Sequence, residues 1–267
     1  MNRKSLIIWS CVLIVLGIVL CTTAIAIAGL DFTKLNTNQY QFKTELVSAA
    51  DVSNLRINLT NNNIGVVLGE SEQFKISYYE ADENDYKIYT SGNELVIMQT
   101  VRYNWIKHIG INFSPTVFDV LVELPQSFDG DIDFKLINGE MDLKNISIGK
   151  INANLTNGDI VCENSIVSSA SFKTQNGNIK LITVTGAKVH CNTVNGDIKL
   201  RALTFDDFDL KTVNGDIEGT VSGAESEYII NAKTTLGDNN LFNNTASGGK
   251  TFTAKTTSGD INIKFDR

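Results

Sequence analysis

The sequence predicts an all-β chain: a single-stack β-solenoid of 19- to 22-residue repeats with an N-terminal hairpin cap, preceded by one transmembrane helix. Three observations predict it. A short motif of the Asn-Gly-Asp-Ile type recurs seven times, two copies being degenerate, the residues around the copies alternate between apolar and polar, and the N-terminus opens on a long uncharged run. The composition agrees, with 2 Pro against 20 Gly and many Asn and Thr, which favours strands and turns over long soluble helices.

From Ser5 to Leu30 no residue is charged, and the run includes Leu6-Ile7-Ile8-Trp9 and Val12-Leu13-Ile14-Val15-Leu16. About 20 such residues cross a bilayer as a helix. Arg3 and Lys4 precede the run and Asp31 follows it, so the excess of basic residues keeps the N-terminus cytoplasmic and sends the rest outside. A cleaved secretory signal ending at Ala26-Ile27-Ala28 is the competing reading, but the apolar run exceeds the usual length of a signal's centre. Beyond the anchor, 21 basic residues face 30 acidic ones, a net charge of −9 against −7 for the whole chain. So acidic an exterior argues against nucleic acid as a partner.

The repeat carries the fold prediction. Asn138, Asn157, Asn176, Asn195 and Asn214 each open a copy at steps of 19 residues, and two degenerate copies follow at Leu236 and Ser258 at steps of 22. Six and four residues before these positions, and three and five after them, 26 of 28 residues are apolar; the chain's 42% hydrophobic content would give about 12. Only Gly219 and Asn239 depart. Such period-2 alternation marks strands with one buried face. The intervening positions are polar, including Lys135, Lys173, Lys211, Lys233 and Lys255 three residues before the turn. Gly in second place of the motif supplies the backbone freedom for a turn between two short strands. An Asn-Gly pair between alternating strands also suits an antiparallel hairpin, but identical residues recurring in phase favour coils stacked in register.

The remaining elements follow in order. Residues 1–4 form a cytoplasmic N-terminus, 5–30 the anchor, 31–50 a polar stalk, 51–125 a β-rich cap region and 126–267 the repeat stack. Strand-like runs at Leu55–Leu59, Phe74–Tyr78, Leu95–Met98 and Val117–Leu124 are expected to form hairpins that close one end, since an open stack edge invites aggregation. The other end carries only the charges of Lys264, Asp266 and Arg267 for protection.

The N-terminal membrane segment, Leu124-Pro125 leading into the repeats, and the T-V-N-G-D-I copies at Thr193–Ile198 and Thr212–Ile217 together resemble the bacterial putative-adhesin family of unknown function. The resemblance covers roughly residues 50 to 265. It implies a β-solenoid exposed at the cell envelope without enzymatic activity, with some relatives looking like accessory proteins of envelope-stress responses.

Each candidate site has a plainer structural reading beside it. The row Asp159, Asp197, Asp216, Asp238 and Asp260 suggests calcium, but calcium-binding β-rolls use nine-residue glycine-rich copies absent here, so the carboxylates are expected to complete turns. No Cys or His pair has zinc spacing, and no cofactor motif is present. Cys162 and Cys191 fall in different phases of the repeat and read as small buried residues, not a disulfide. The lysine row could attract anionic wall polymers or lipid headgroups, or be a solvated face. Within residues 100–115, Arg102, Tyr103, Trp105, Lys107 and His108 make a basic, aromatic loop suited to a membrane surface or an envelope protein; the same residues could instead plug the end of the stack. The leading expectation is thus a single-pass membrane protein that displays a binding or structural surface. A sensor accessory to envelope-stress signalling and an enzyme acting on polysaccharides are the alternatives.

Overall fold

In the computed structural model, which describes residues 3–29, 41–80, 84–101, 120–244 and 249–266, a helix α1 (Arg3–Ala28) is followed by eighteen strands. The first seven are β1 (Gln41–Ser48), β2 (Asn54–Asn61), β3 (Ile64–Leu68), β4 (Gln73–Glu80), β5 (Asn84–Ser91), β6 (Glu94–Val101) and β7 (Val120–Leu124). The regular repeats supply β8 (Asp131–Asn138), β9 (Met141–Lys144), β10 (Ser147–Asn157), β11 (Ile160–Asn176), β12 (Ile179–Asn195) and β13 (Ile198–Leu203). The chain ends with β14 (Asp207–Lys211), β15 (Ile217–Ser222), β16 (Tyr228–Lys233), β17 (Lys250–Lys255) and β18 (Ile261–Asp266).

Neighbouring copies run parallel and in register, so the chain is a solenoid and not a meander of hairpins. Ile151 pairs with Ala170, Ala170 with Val189 and Val189 with Phe208. After the turn, Met141, Ile160, Ile179, Ile198 and Ile217 form the matching column. All 26 in-phase apolar side chains are buried, because equal phase in parallel strands puts equal residues on the same face of every rung. The two exceptions have local reasons. Asn239 is exposed on the last rung, and a Cβ at Gly219 would lie 1.8 Å from the Leu200 carbonyl oxygen.

Each regular coil has a third inward side that the period-2 pattern alone did not show. Ile146 and Ile148, then Val167, Val184, Leu203 and Phe205, are buried eight or ten residues after the motif. The chain reaches this side through a corner in the left-handed region, at Asn145 (φ 55°), Asn164 (φ 49°), Thr183 (φ 52°) and Ala202 (φ 53°).

Rung order departs from chain order at both ends. The strands before the turn stack as β6, β2, β8, β10, β11, β12, β14, β17 and β16. The region expected to be hairpins therefore adds two genuine coils: β2 and β3 lie on β8 and β9, and β6 and β7 lie on β2 and β3. Antiparallel strands do close this end, with β5 on β6, β4 on β7 and β1 on β4. Strand β1 occupies part of the segment read as a polar stalk, and Val47 packs against the core.

At the other end the C-terminal strand is not the edge. The coil of β17 and β18 lies between that of β14 and β15 and the terminal rung of β16. Charges are not what seals that rung. The Asn244 Oδ1 accepts the Ile230 N–H at 2.9 Å, the Asn243 Oδ1 accepts the Ala232 N–H at 2.7 Å, and the Asn244 N–H donates to the Ile230 carbonyl at 3.2 Å. These amides occupy the free edge of β16, which would otherwise offer its backbone to another strand.

Candidate functional site

The turn edge of the stack is a set of hydrogen-bonded ladders. Nδ2 of Asn138 donates to Oδ1 of Asn61, and Asn157, Asn176, Asn195 and Asn214 continue the ladder at 2.7 to 2.9 Å. Behind them the hydroxyls of Thr174, Thr193, Thr212 and Thr256 donate to glycine carbonyls one rung away, at 2.9 to 3.1 Å. The acidic row is part of the same framework. Asp159 accepts the Asn178 N–H, Asp197 the Asp216 N–H, Asp216 the Asp260 N–H and Asp260 the Asp238 N–H, at 2.7 to 3.0 Å. Each of these carboxylates thus completes a turn, and its Oδ1 is already engaged by backbone.

The face before the turn has a different character. In stack order the row three residues before the motif reads Asn58, Lys135, Asn154, Lys173, Asn192, Lys211, Lys255 and Lys233. Beside it, His190 Nδ1 lies 2.9 Å from Asp209 Oδ2, and Lys211 Nζ lies at 2.9 Å from the same carboxylate. Burial pushes the Asp209 carboxyl up, but the hydrogen bonds from Lys211 and His190 outweigh it and hold the group below the ordinary carboxylate range. Asp207 behaves alike: its bonds from Lys188 and Thr251 overcome the effect of burial.

Two concavities bear on binding. A shallow groove of 360 Å³ runs across four rungs of the lysine face, lined by Lys135, Ile137, Asn154, Lys173, Asn192 and Val194 among others. Ile137 and Val194 point outward beside the lysines; their position one residue before the motif is the sequence signal that would have marked the groove. A wider hollow of 790 Å³ opens by the terminal rung, where Glu225, Lys264 and Asp266 mix both signs of charge.

The other predicted features fall out as follows. Arg102, Tyr103, Trp105, Lys107 and His108 lie outside the described residues. Cys162 and Cys191 are free thiols inside the core; burial pushes Cys162 up to about 12 and raises Cys191 as well, so neither is a ready thiolate. Helix α1 is long and apolar enough over Ser5–Ile27 to cross a membrane, and among the described residues none covers Leu6, Trp9, Leu13 and Leu16 along it.

Residues 52–267 match a family described as Toastrack DUF4097. The chain is similar to three solved structures. A putative adhesin from Bacteroides fragilis is 13% identical, with a TM-score of 0.50 over 85% of this chain and 97% of that one. A putative cell adhesion protein from Clostridium sporogenes is 14% identical, with a TM-score of 0.38 over 85% and 100%. A putative lipid binding protein from Parabacteroides distasonis is 13% identical, with a TM-score of 0.48 over 86% and 98%. No curated protein matches the chain.

Proposed function

The chain belongs to the Toastrack DUF4097 family, and from that premise we propose that it is a non-enzymatic, membrane-anchored module whose stack binds or supports the cell envelope from outside the cytoplasm. The observation that carries this reading is the division of labour along the chain. An apolar helix that no other described residue covers leads into a stack whose inward rows are all spent on packing and whose outward rows repeat at one fixed spacing. A helix of that kind needs an apolar surrounding. A rigid wall of equivalent side chains suits contact with an extended or repetitive partner, as solenoids generally provide. The Bacteroides fragilis neighbour shares the fold, and its name as a putative adhesin agrees with a surface role.

The test is protease treatment of intact cells that produce the full chain with a C-terminal tag, followed by fractionation. The tag is expected to disappear from intact cells while an N-terminal fragment stays with the membrane. A tag that survives until the cells are broken, or a chain recovered in the soluble fraction, would overturn the reading.

A further inference from the structure

The geometry points to the lysine face as a binding strip for an extended phosphodiester polymer of hydroxylated units, a polyol-phosphate chain. This deepens the envelope-facing reading and rests on it. Parallel strands lie about 4.8 Å apart, so Lys135 to Lys233 spans roughly 29 Å over six steps. Lys135, Lys173 and Lys211 recur on alternate rungs, about 10 Å apart, and Lys211, Lys255 and Lys233 then follow on successive ones. Across this face, in the rows one, three and five residues before the turn, five lysines face only Asp133 and Asp209, while Arg56 is paired with Glu94 at 2.8 Å. That is a local excess of positive charge on a chain of net charge −7.

The two carboxylates do not cancel the strip. Asp209 is taken up by His190 and Lys211, which leaves Lys135, Lys173, Lys233 and Lys255 against the single charge of Asp133, whose Oδ1 also accepts the Asn152 amide at 3.0 Å. Among the described residues, Lys135, Lys173, Lys233 and Lys255 have no ion-pair partner. The row on the turn side holds no acid: Ile137, Thr156, Gln175, Val194 and Val213 follow one another.

The chemistry of the strip selects its occupant. An ammonium is a compact point charge that meets a phosphodiester oxygen from any side, without the fixed bidentate geometry that a guanidinium fork would impose along the polymer. Asn154 and Asn192, set between lysines in the groove, offer amide donors and acceptors to hydroxyl groups of the linking units. Ile137 and Val194 give the groove an apolar side for their CH faces. Single-stranded nucleic acid would also meet lysines here, but the strip has no aromatic platform for bases. One exposed lysine binds phosphate weakly, and several in line on a rigid scaffold act together.

The full chain in phosphatidylcholine nanodiscs would be titrated with a labelled glycerol-phosphate oligomer at low ionic strength. The triple variant Lys135→Gln, Lys173→Gln, Lys255→Gln, which leaves the Lys211–Asp209 pair intact, is expected to weaken binding about tenfold. The triple Lys87→Gln, Lys180→Gln, Lys264→Gln removes the same charge elsewhere and is expected to change it less than twofold, with both variants melting like the parent. Equal losses in the two triples, no binding by the parent, or equal affinity for oligothymidylate or phosphatidylglycerol vesicles would each overturn the inference. A chain that passes the protease test yet fails this one would remain an envelope module without this ligand.

Discussion

At the residue scale, the corner after each regular coil shows how a repeat tolerates drift. The left-handed region favours Gly and Asn, and it costs other residues about 1–2 kcal/mol, most of all when they branch at Cβ. Asn145 and Asn164 suit it, while Thr183 and Ala202 occupy it because the stack holds them there. Thr183→Asn is therefore expected to stabilise the chain by about 1 kcal/mol, read as a higher urea midpoint with unchanged slope. In the sequence this corner was hidden, since only two of its four residues keep the amide that would have betrayed it. Asp207 and Asp209 give a second expectation. Their carboxyls are held lower in the folded chain than the usual 3.9 or so of an unfolded one. The stability they contribute is thus complete above that value and fades as pH falls through the folded one. The difference in urea midpoint between the parent and an Asp207→Asn, Asp209→Asn variant should be constant near neutrality and shrink as pH is lowered from about 5.

At the element scale, the glycine of the motif matters for more than the turn it makes. Gly196 has φ +157°, and a Cβ there would lie 2.0 Å from the Gly177 carbonyl oxygen of the rung below. Turns of adjacent rungs approach too closely for any side chain, which lets the asparagine and threonine ladders close beside them. Gly196→Ala is expected to cost about 2–5 kcal/mol, combining backbone strain with overpacking, measured by chemical denaturation. The alternation of the two flanking strands was fully legible in the sequence, because one dry face imposes period 2. The third side was not: Ser165 and Gly186 interrupt its apolar column, and its strands run on into the next copy without a turn signal.

At the scale of the whole molecule, the last coil in sequence is an interior layer. Removing residues 245–267 would take away β17 and β18, leave β16 without its neighbouring strand and expose the edge of β14 and β15. Truncation after Asn244 is therefore expected to abolish amide protection in β14, β15 and β16 together, as followed by hydrogen exchange. Retained protection in β16 would contradict this rung order. The same exchange of layers at the other end places β2 and β3 between β6 and β8, so each end of the stack is tied to a segment that passes over its neighbour. In a structure held by nearest-neighbour contacts, such a tie makes two rungs depend on one another.

The amino-acid sequence by itself determined the apolar helix and the inward rows and favoured coils stacked in register, because period and phase are local properties that every copy states again. The strand pairing decided that neighbouring copies run parallel. Of the candidate surfaces it named the lysine row without its neighbours. Only the tertiary structure decided which coil lies on which, since a coil's edge is a generic row of backbone groups that any other edge can satisfy. That choice joined Lys211 to Lys255 and Lys233, left the terminal rung to be sealed by Asn243 and Asn244, and so set the length of the strip and the way the stack ends.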